Sequence, residues 1–103
     1  MKVTWTRNAK RSYDRELGFI LEKWSIKEML GFIVLTDRFI QTLESEIFEG
    51  KVHPKPNVFS GSISKQTRVF FKKYPEKDEI RLLLFWNNSQ DPEELKRILS
   101  TSS

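Results

Sequence analysis

Cysteine is absent from the sequence of 103 residues, and histidine occurs once, at His53. Without thiolates the chain can form neither a disulfide framework nor a thiolate-bound zinc or iron–sulfur site, and it has no cysteine nucleophile. A single histidine cannot build a histidine-rich metal centre. The sequence therefore predicts no metal and no cofactor. The lack of cysteine also favours a reducing, cytoplasmic compartment.

Long apolar runs are missing as well. No window approaches the roughly 18 apolar residues that a membrane-spanning helix needs. The first residues, MKVTWTRNAKRSYD, lack the apolar core of a signal peptide. We therefore expect no membrane partner. The length predicts one domain that spans residues 1–103.

Most catalytic motifs are missing too. The four glycines are scattered, so there is no glycine-rich phosphate loop and no Gly-x-Ser-x-Gly motif. His53 has no acidic or nucleophilic neighbour close in sequence and lies in the linker Lys51–Asn57. We therefore interpret it as an exposed loop residue rather than a catalytic base.

Positive charge is concentrated in two segments. Residues 1–25 carry six basic and three acidic groups, and residues 51–85 carry eight and three. The whole chain has a net charge of +4. A positive field attracts nucleic acid or an acidic protein, although it does not indicate a fold.

The N-terminal half has helical periodicity after a short strand at Lys2–Trp5. Apolar residues between positions 9 and 24 recur every three or four residues, which predicts an amphipathic helix. The spacing Ser25-x-x-Glu28 is a capping box and predicts a second helix, running to about Glu49. Because so few residues separate the helices, we expect an antiparallel hairpin.

The C-terminal half alternates strands and turns after the linker, where Pro54 and Pro56 oppose regular structure. Strands are predicted at 58–63, 67–74 and 79–86, and the nearly unbroken apolar run of the last one indicates a central strand. Asp91-Pro92 begins a short final helix. The predicted class is α+β: an N-terminal strand and an α-helical hairpin packed on a small, mostly antiparallel sheet, with a short C-terminal helix.

A core follows from these elements, with Leu82 and Leu84 among its most buried members. Its other predicted members are Trp5, Ala9, Tyr13, Leu17, Ile20, Trp24, Ile33, Ile40, Leu43, Ile47 and Val69.

Cations alternate with aromatic residues along the strand at 67–74. One face carries Arg68, Phe70, Lys72 and Tyr74, and the other carries Val69, Phe71 and Lys73. A guanidinium beside aromatic rings can hold a phosphate and stack a base, which makes Lys65, Lys72 and Arg81 candidate nucleic-acid-binding residues. Core aromatics with solvated cations would give the same pattern, so both interpretations stay open here.

The order of these segments resembles the RelE/ParE superfamily of toxins from bacterial type II toxin–antitoxin modules. The opening VTWTRNAKRSYDRELGFILEKWS is similar to the family's first strand and helix, through Trp5, Ala9 and Phe19-Ile20 before Lys23-Trp24. Residues 62–95 resemble its sheet and strand-end motif. That motif is close to Phe-Trp-Asp-Asn-Arg-Gln-Asp-Pro in one branch and reads FWNNSQDP here.

The resemblance implies a growth-inhibiting toxin that acts on the ribosome and mRNA or on DNA gyrase and is neutralised by a cognate antitoxin. In the nuclease branch, mRNA is cut on the ribosome without a metal. Arg68 matches that branch's phosphate-contacting arginine and is the candidate catalytic residue. The strand-end motif supplies Asn87, Asn88, Ser89 and Asp91, with Ser89 in place of an arginine. We expect Asn87, Asn88 and Ser89 to lie where the last strand leaves the sheet, beside the face that carries Arg68.

The catalytic set that the resemblance implies is incomplete, because the C-terminal tyrosine or histidine of the nuclease branch has no counterpart in this chain. We therefore expect little mRNA cleavage, and Ser89→Arg should raise any trace of it. A gyrase-directed toxin, a nuclease with rearranged groups and a weakened toxin stay open, as does a non-enzymatic basic nucleic-acid-binding module. For the antitoxin we expect Phe32 and Leu35 to be exposed on the helical hairpin.

Overall fold

A mixed sheet with helices on both faces organises the chain. The computed structural model describes residues 1–45 and 57–101, together with the backbone of 51–52. The elements are β1 (Lys2–Trp5), α1 (Arg7–Lys23), α2 (Ile26–Glu44), β2 (Lys51–Val52), β3 (Val58–Ser62), β4 (Thr67–Tyr74), β5 (Glu79–Asn87) and α3 (Pro92–Thr101). A short 3₁₀ turn, Pro75–Lys77, joins β4 to β5. The predicted α+β class is confirmed.

The sheet has the strand order β1-β5-β4-β3-β2. β1 pairs parallel with β5, and the other pairs are antiparallel. The prediction that the last apolar strand is interior is confirmed, since β5 lies between β1 and β4. None of the helices in the described ranges is long and apolar enough to cross a membrane.

Both helix starts follow from side-chain caps. The Thr6 hydroxyl accepts a hydrogen bond from the Ala9 amide at 3.1 Å, and the Ser25 hydroxyl accepts one from the Glu28 amide at 3.2 Å. Only Trp24 and Ser25 separate α1 from α2, so the two helices form the predicted hairpin. The hairpin covers one face of the sheet.

Apolar side chains fill both faces. The inner core lies between the sheet and the hairpin and includes Ala9, Ile20, Phe32, Leu43, Val69, Phe71, Leu82 and Phe85. The outer cluster on the opposite face contains Phe70, Leu83, Leu84 and Trp86, and α3 packs on it through Leu95, Ile98 and Leu99. The register between β4 and β5 shifts at Phe70/Phe71 and leaves Leu83 without an opposite residue. This irregularity puts two consecutive leucines into the outer cluster.

Most of the predicted core is confirmed. Ala9, Ile20, Leu43, Val69, Leu82 and Leu84 are buried. Trp5, Tyr13, Leu17 and Ile40 pack against the inner core while partly exposed, and Ile33 is half-buried. Ile47 and His53 lie outside the described residues.

Two burial predictions are wrong. Trp24 is 55% exposed because it follows the last residue of α1, beyond the helical face that meets the sheet. Phe32 is only 4% exposed because its ring packs on that of Tyr13, with centroids 5.9 Å apart. The matching prediction for Leu35 is confirmed, at 41% exposed.

Two element boundaries also differ from the prediction. α2 ends at Glu44, before Glu49, with Ser45 as its C-cap, and the Ser45 hydroxyl donates to the carbonyls of Gln41 and Thr42. The predicted linker starts with the two-residue strand β2, which pairs with β3 ahead of the prolines.

Leu82→Ala should lower the free energy of unfolding by about 2–5 kcal/mol, because Leu82 has no exposed surface and its truncation leaves a cavity in the inner core. Leu21, on α1, is 44% exposed, so Leu21→Ala is the matched control and should change stability by no more than about 0.5 kcal/mol. Urea unfolding followed by circular dichroism measures both. Equal losses in the two variants would contradict this assignment of the core.

Candidate functional site

A buried carboxylate joins α1 to the ends of two strands. Glu16 is 7% exposed and accepts hydrogen bonds from the Thr67 hydroxyl and, at 3.1 Å, from the Asn87 side-chain amide. Thr67 begins β4 and Asn87 ends β5, and the two lie opposite each other in the ladder. A carboxylate buried without such donors would be strongly unfavourable. The three side chains therefore fix the ends of β4 and β5 at which the strand-end motif begins.

The turn after β5 is held by the same asparagine. The Asn87 Oδ1 atom accepts from the Ser89 amide at 2.9 Å and from its hydroxyl at 2.6 Å. The Asn88 amide donates to the Gln66 carbonyl at 2.7 Å, which ties this turn to the β3–β4 turn. Asn87 thus bridges the buried Glu16 and the exposed Ser89.

A depression of about 320 Å³, here called the strand-end pocket, opens beside this turn. Its lining residues come from α1, the β3–β4 turn and the end of β5, and are Phe19, Lys23, Lys65, Gln66, Asn87, Asn88 and Ser89. The Lys23 ammonium lies 5.3 Å from the centroid of the Phe19 ring and 5.9 Å from that of Trp24. Such contacts favour a cation held over aromatic faces.

Arg68 lies on the opposite face of the sheet. Its guanidinium donates to the hydroxyls of Ser62 and Ser60, at 3.1 and 3.0 Å. Asn87 points instead to the helical face, toward Glu16. The expectation that the strand-end motif lies beside the face of Arg68 is therefore wrong. The pocket that the motif lines opens on the helical side of the sheet. Strand alternation is the reason, and Lys65 is the predicted cation that the fold brings to the motif.

Asp91, the last residue of the predicted motif set, caps α3. Its carboxylate accepts from the Glu93 amide at 2.9 Å. This contact accounts for its position in front of Pro92, and Asp91 is not among the lining residues of the strand-end pocket.

Lys72 and Arg81 meet around one aromatic ring, on the same face as Arg68. The Arg81 guanidinium lies 4.4 Å from the centroid of the Tyr74 ring, and the ammonium groups of Lys72 and Lys77 lie at 5.4 and 5.8 Å. Glu79 pairs with Arg81 at 3.3 Å. We call Lys72, Tyr74, Lys77, Glu79 and Arg81 the tyrosine cluster.

Hydrogen bonds set the protonation of the one acid in this cluster. The Thr4 hydroxyl donates to the Glu79 carboxylate at 2.7 Å, and this bond, followed by the Arg81 hydrogen bond, lowers the pKa of Glu79 below its ordinary value. The same pairing raises the pKa of Arg81. The tyrosine cluster therefore combines three cations with one carboxylate that stays ionised.

A third feature, here called the apolar groove, is an opening of about 710 Å³ beside the hairpin. The helical hairpin, including its connection, contributes Ile20, Trp24, Glu28, Gly31, Phe32, Val34, Leu35 and Arg38, and the β3–β4 turn contributes Ser64, Lys65 and Gln66. Lys65 and Gln66 also line the strand-end pocket. The groove and the pocket are thus neighbours that share one turn.

Three contributors to the site were missed in the sequence: Glu16, Phe19 and Lys23. Glu16 lies at the spacing that carries the buried face of α1 from Ala9 through Ser12 to Ile20, and an acid on that face signals a buried partner. Phe19 and Lys23 are four residues apart, which places them together on a helix surface. Among the described residues, no three His, Asp or Glu side chains come together to hold a metal ion.

The fold resembles several solved structures. The chromosomal ParDE toxin–antitoxin system from P. aeruginosa matches with a TM-score of 0.69 and 17% identity, over 84% of this chain and 95% of that one. The isolated RelE toxin from E. coli matches with a TM-score of 0.57 and 17% identity, over 94% of this chain and 97% of that one. A YoeB/ParE toxin from Agrobacterium tumefaciens matches with a TM-score of 0.56 and 14% identity, over 85% of this chain and 99% of that one.

The chain has the RelE/ParE toxin fold. The matches span nearly the whole length of those toxins, so the resemblance is not confined to one supersecondary unit. No protein-family model matches the sequence, and no curated protein does. The RelE/ParE fold is thus formed here by a sequence that is only 14–17% identical to those of the three solved structures.

Thr4→Val should raise the pKa of Glu79 toward its ordinary value, because it removes the hydrogen bond with the largest effect on that carboxylate. A lowered folded-state pKa stabilises the fold above the unfolded pKa, and this contribution is lost as the pH falls through the folded value. Carboxyl-carbon NMR during an acid titration measures the shift. Thr42→Val, on α2, is the control and should leave Glu79 unchanged. An unchanged Glu79 pKa in Thr4→Val would refute the role given to this hydrogen bond.

Proposed function

We propose that this chain is the growth-inhibiting toxin of a toxin–antitoxin module and that its antitoxin binds the apolar groove. The observation that carries the proposal is the fold shared with ParE, RelE and YoeB toxins along nearly their full lengths. The strand-end motif and the basic sheet are the features most relevant to a target on the ribosome or on gyrase.

The groove has the chemistry of a docking site for an amphipathic segment. Trp24, Val34 and Leu35 are 55%, 47% and 41% exposed, although each is largely apolar. Exposed apolar surface of this kind is typical of an interaction site. Two cations, Arg38 and Lys65, and one acid, Glu28, line the same opening. The occupant that fits is a helix or strand with an apolar face and a net excess of acidic residues.

An occupied groove would also affect the strand-end pocket. Lys65 and Gln66 line both features, so a segment that fills the groove contacts the turn that forms one wall of the pocket. One antitoxin segment could thereby cover both surfaces. This geometry supports neutralisation by direct occlusion.

Binding of a target, rather than efficient mRNA cleavage, is the activity that we favour. Arg68 has two neutral serine hydroxyls as its hydrogen-bond partners. Lys72 is four residues further along the strand, about 13 Å by the usual rise, and its ammonium lies near the Tyr74 ring. Among the described side chains, neither Lys72 nor Arg81 therefore gives Arg68 the adjacent positive group that stabilisation of a cleaved phosphate requires, because both lie at the Tyr74 ring.

The tyrosine cluster supports a second candidate function, a basic nucleic-acid-binding module. Three cations around one partly exposed ring can contact a phosphate backbone. Binding of this kind would weaken steeply with salt and would need no antitoxin. The exposed groove favours the toxin over this alternative, because a plain binding module has no use for it.

Induced expression of the chain alone in E. coli should reduce colony counts, and co-expression of the protein encoded next to it should restore them. In the groove, Leu35→Glu should block the rescue while preserving toxicity, because it puts a like charge against an acidic segment. Leu21→Glu, at an equally exposed leucine outside the groove, is the control and should still be rescued. Primer extension on a translated message should show little codon-linked cleavage.

Normal growth at high expression of folded protein would overturn the toxin proposal and favour the binding module. Rescue of Leu35→Glu as complete as that of Leu21→Glu would overturn the assignment of the groove. Strong cleavage that Arg68→Ala abolishes would show a working nuclease and contradict our preference for binding.

A further inference from the structure

We propose that the strand-end pocket binds one nucleotide unit, with its phosphate between Lys23 and Lys65. This inference concerns the helical side of the sheet, away from Arg68 and the tyrosine cluster, and it does not depend on the proposed toxicity. The pocket has about 320 Å³, which is at the lower end of small-molecule sites.

The two lysines give the pocket its charge. Lys23 ends α1 and Lys65 lies in the β3–β4 turn, so the tertiary fold alone brings them to one opening. Within the described ranges neither ammonium forms an ion pair, and none of the lining residues is acidic. Two cations without an ion pair at one depression attract an anion, and a phosphate can accept hydrogen bonds from both.

The buried carboxylate of Glu16 does not cancel this attraction directly. Glu16 is buried beneath the turn, and its Oε2 atom already accepts from Thr67 and Asn87. Asn87 stands between that carboxylate and the opening. Glu16 therefore lies behind Asn87, outside the lining of the pocket, and leaves the two lysines available to a ligand.

The remaining lining groups suit a base. The side-chain amides of Gln66 and Asn88 each combine a donor with an acceptor, the combination that pairs with the edge of a nucleobase. The Asn88 Nδ2 atom donates to the Lys65 carbonyl at 3.4 Å, which leaves its second hydrogen for a base. Phe19 is 38% exposed and supplies an apolar wall for the flat ring. Inorganic phosphate would use only the lysines, whereas a nucleotide uses all three kinds of group.

A free nucleotide and a nucleotide within an RNA strand present the same chemistry to the pocket. Titration of the purified full chain with AMP, GMP, CMP and UMP, each followed by amide NMR, tests the first source. Titration with a short single-stranded RNA tests the second. Inorganic phosphate is the probe for charge alone.

The expected result is saturable shifts at Phe19, Gln66, Asn88 and Ser89 with a nucleotide or with the RNA, and weaker binding of phosphate. Lys23→Gln and Lys65→Gln should each weaken nucleotide binding on the order of tenfold, because each removes a charge-assisted hydrogen bond. Lys27→Gln, which removes the same charge from outside the pocket, is the control and should retain the affinity. The dispersion of the amide spectrum verifies that each variant is folded.

Shifts with the RNA alone would place the nucleotide within a strand and would still support the pocket. The proposal is overturned if no probe gives saturable shifts at these residues, if phosphate binds as tightly as every nucleotide and the RNA, or if Lys27→Gln weakens binding as much as the pocket variants do. If the unmodified chain binds a nucleotide in this pocket but does not slow growth when it is expressed, the proposed function fails and this inference stands.

Discussion

The hydrogen bonds of Glu16 hold α1 against the ends of β4 and β5, where the strand-end pocket lies. A carboxylate that is 7% exposed must be paired with donors, and the donors here come from the start of β4 and the end of β5. α1 supports the same strand elsewhere, since the Ser12 hydroxyl accepts from the Phe85 amide at 2.8 Å and the Thr6 hydroxyl donates to the Leu82 carbonyl at 2.8 Å. The helix is therefore fixed to β5 by polar contacts as well as by the inner core.

This attachment separates the chemistry of the two sheet faces. The helical side carries Lys23, Lys65 and the amides of the strand-end pocket. The opposite side carries Arg68 between its serines and, further along, the tyrosine cluster. Cations that look like one group in the sequence are thus divided among three places. A ligand that spans them must wrap around the sheet edge, whereas a small ligand contacts one place at a time.

The architecture could be predicted from local sequence, and the site only in part. Lys65, Asn87, Asn88 and Ser89 line the strand-end pocket, but the contributions of Glu16, Phe19 and Lys23 were missed. Helix periodicity, the Ser25 cap and the apolar run of β5 are short-range signals, and each predicts its element well. The burial of Phe32 does not follow from such signals, because it depends on Tyr13, which belongs to another helix. The same limit applies to Glu16, whose partners Thr67 and Asn87 are 51 and 71 residues away. Long-range pairings of this kind leave no periodic trace in the sequence.

A double-mutant cycle between Glu16→Ala and Asn87→Ala tests the central claim most directly. If Glu16 anchors the strand ends through Asn87, the two losses of unfolding free energy in urea should be non-additive by roughly 0.5–3 kcal/mol. A parallel cycle with Glu22→Ala, at an exposed acid of the same helix, should be additive. Additive losses for Glu16 and Asn87 would contradict the account, because the carboxylate would then not act through the asparagine that forms the floor of the pocket.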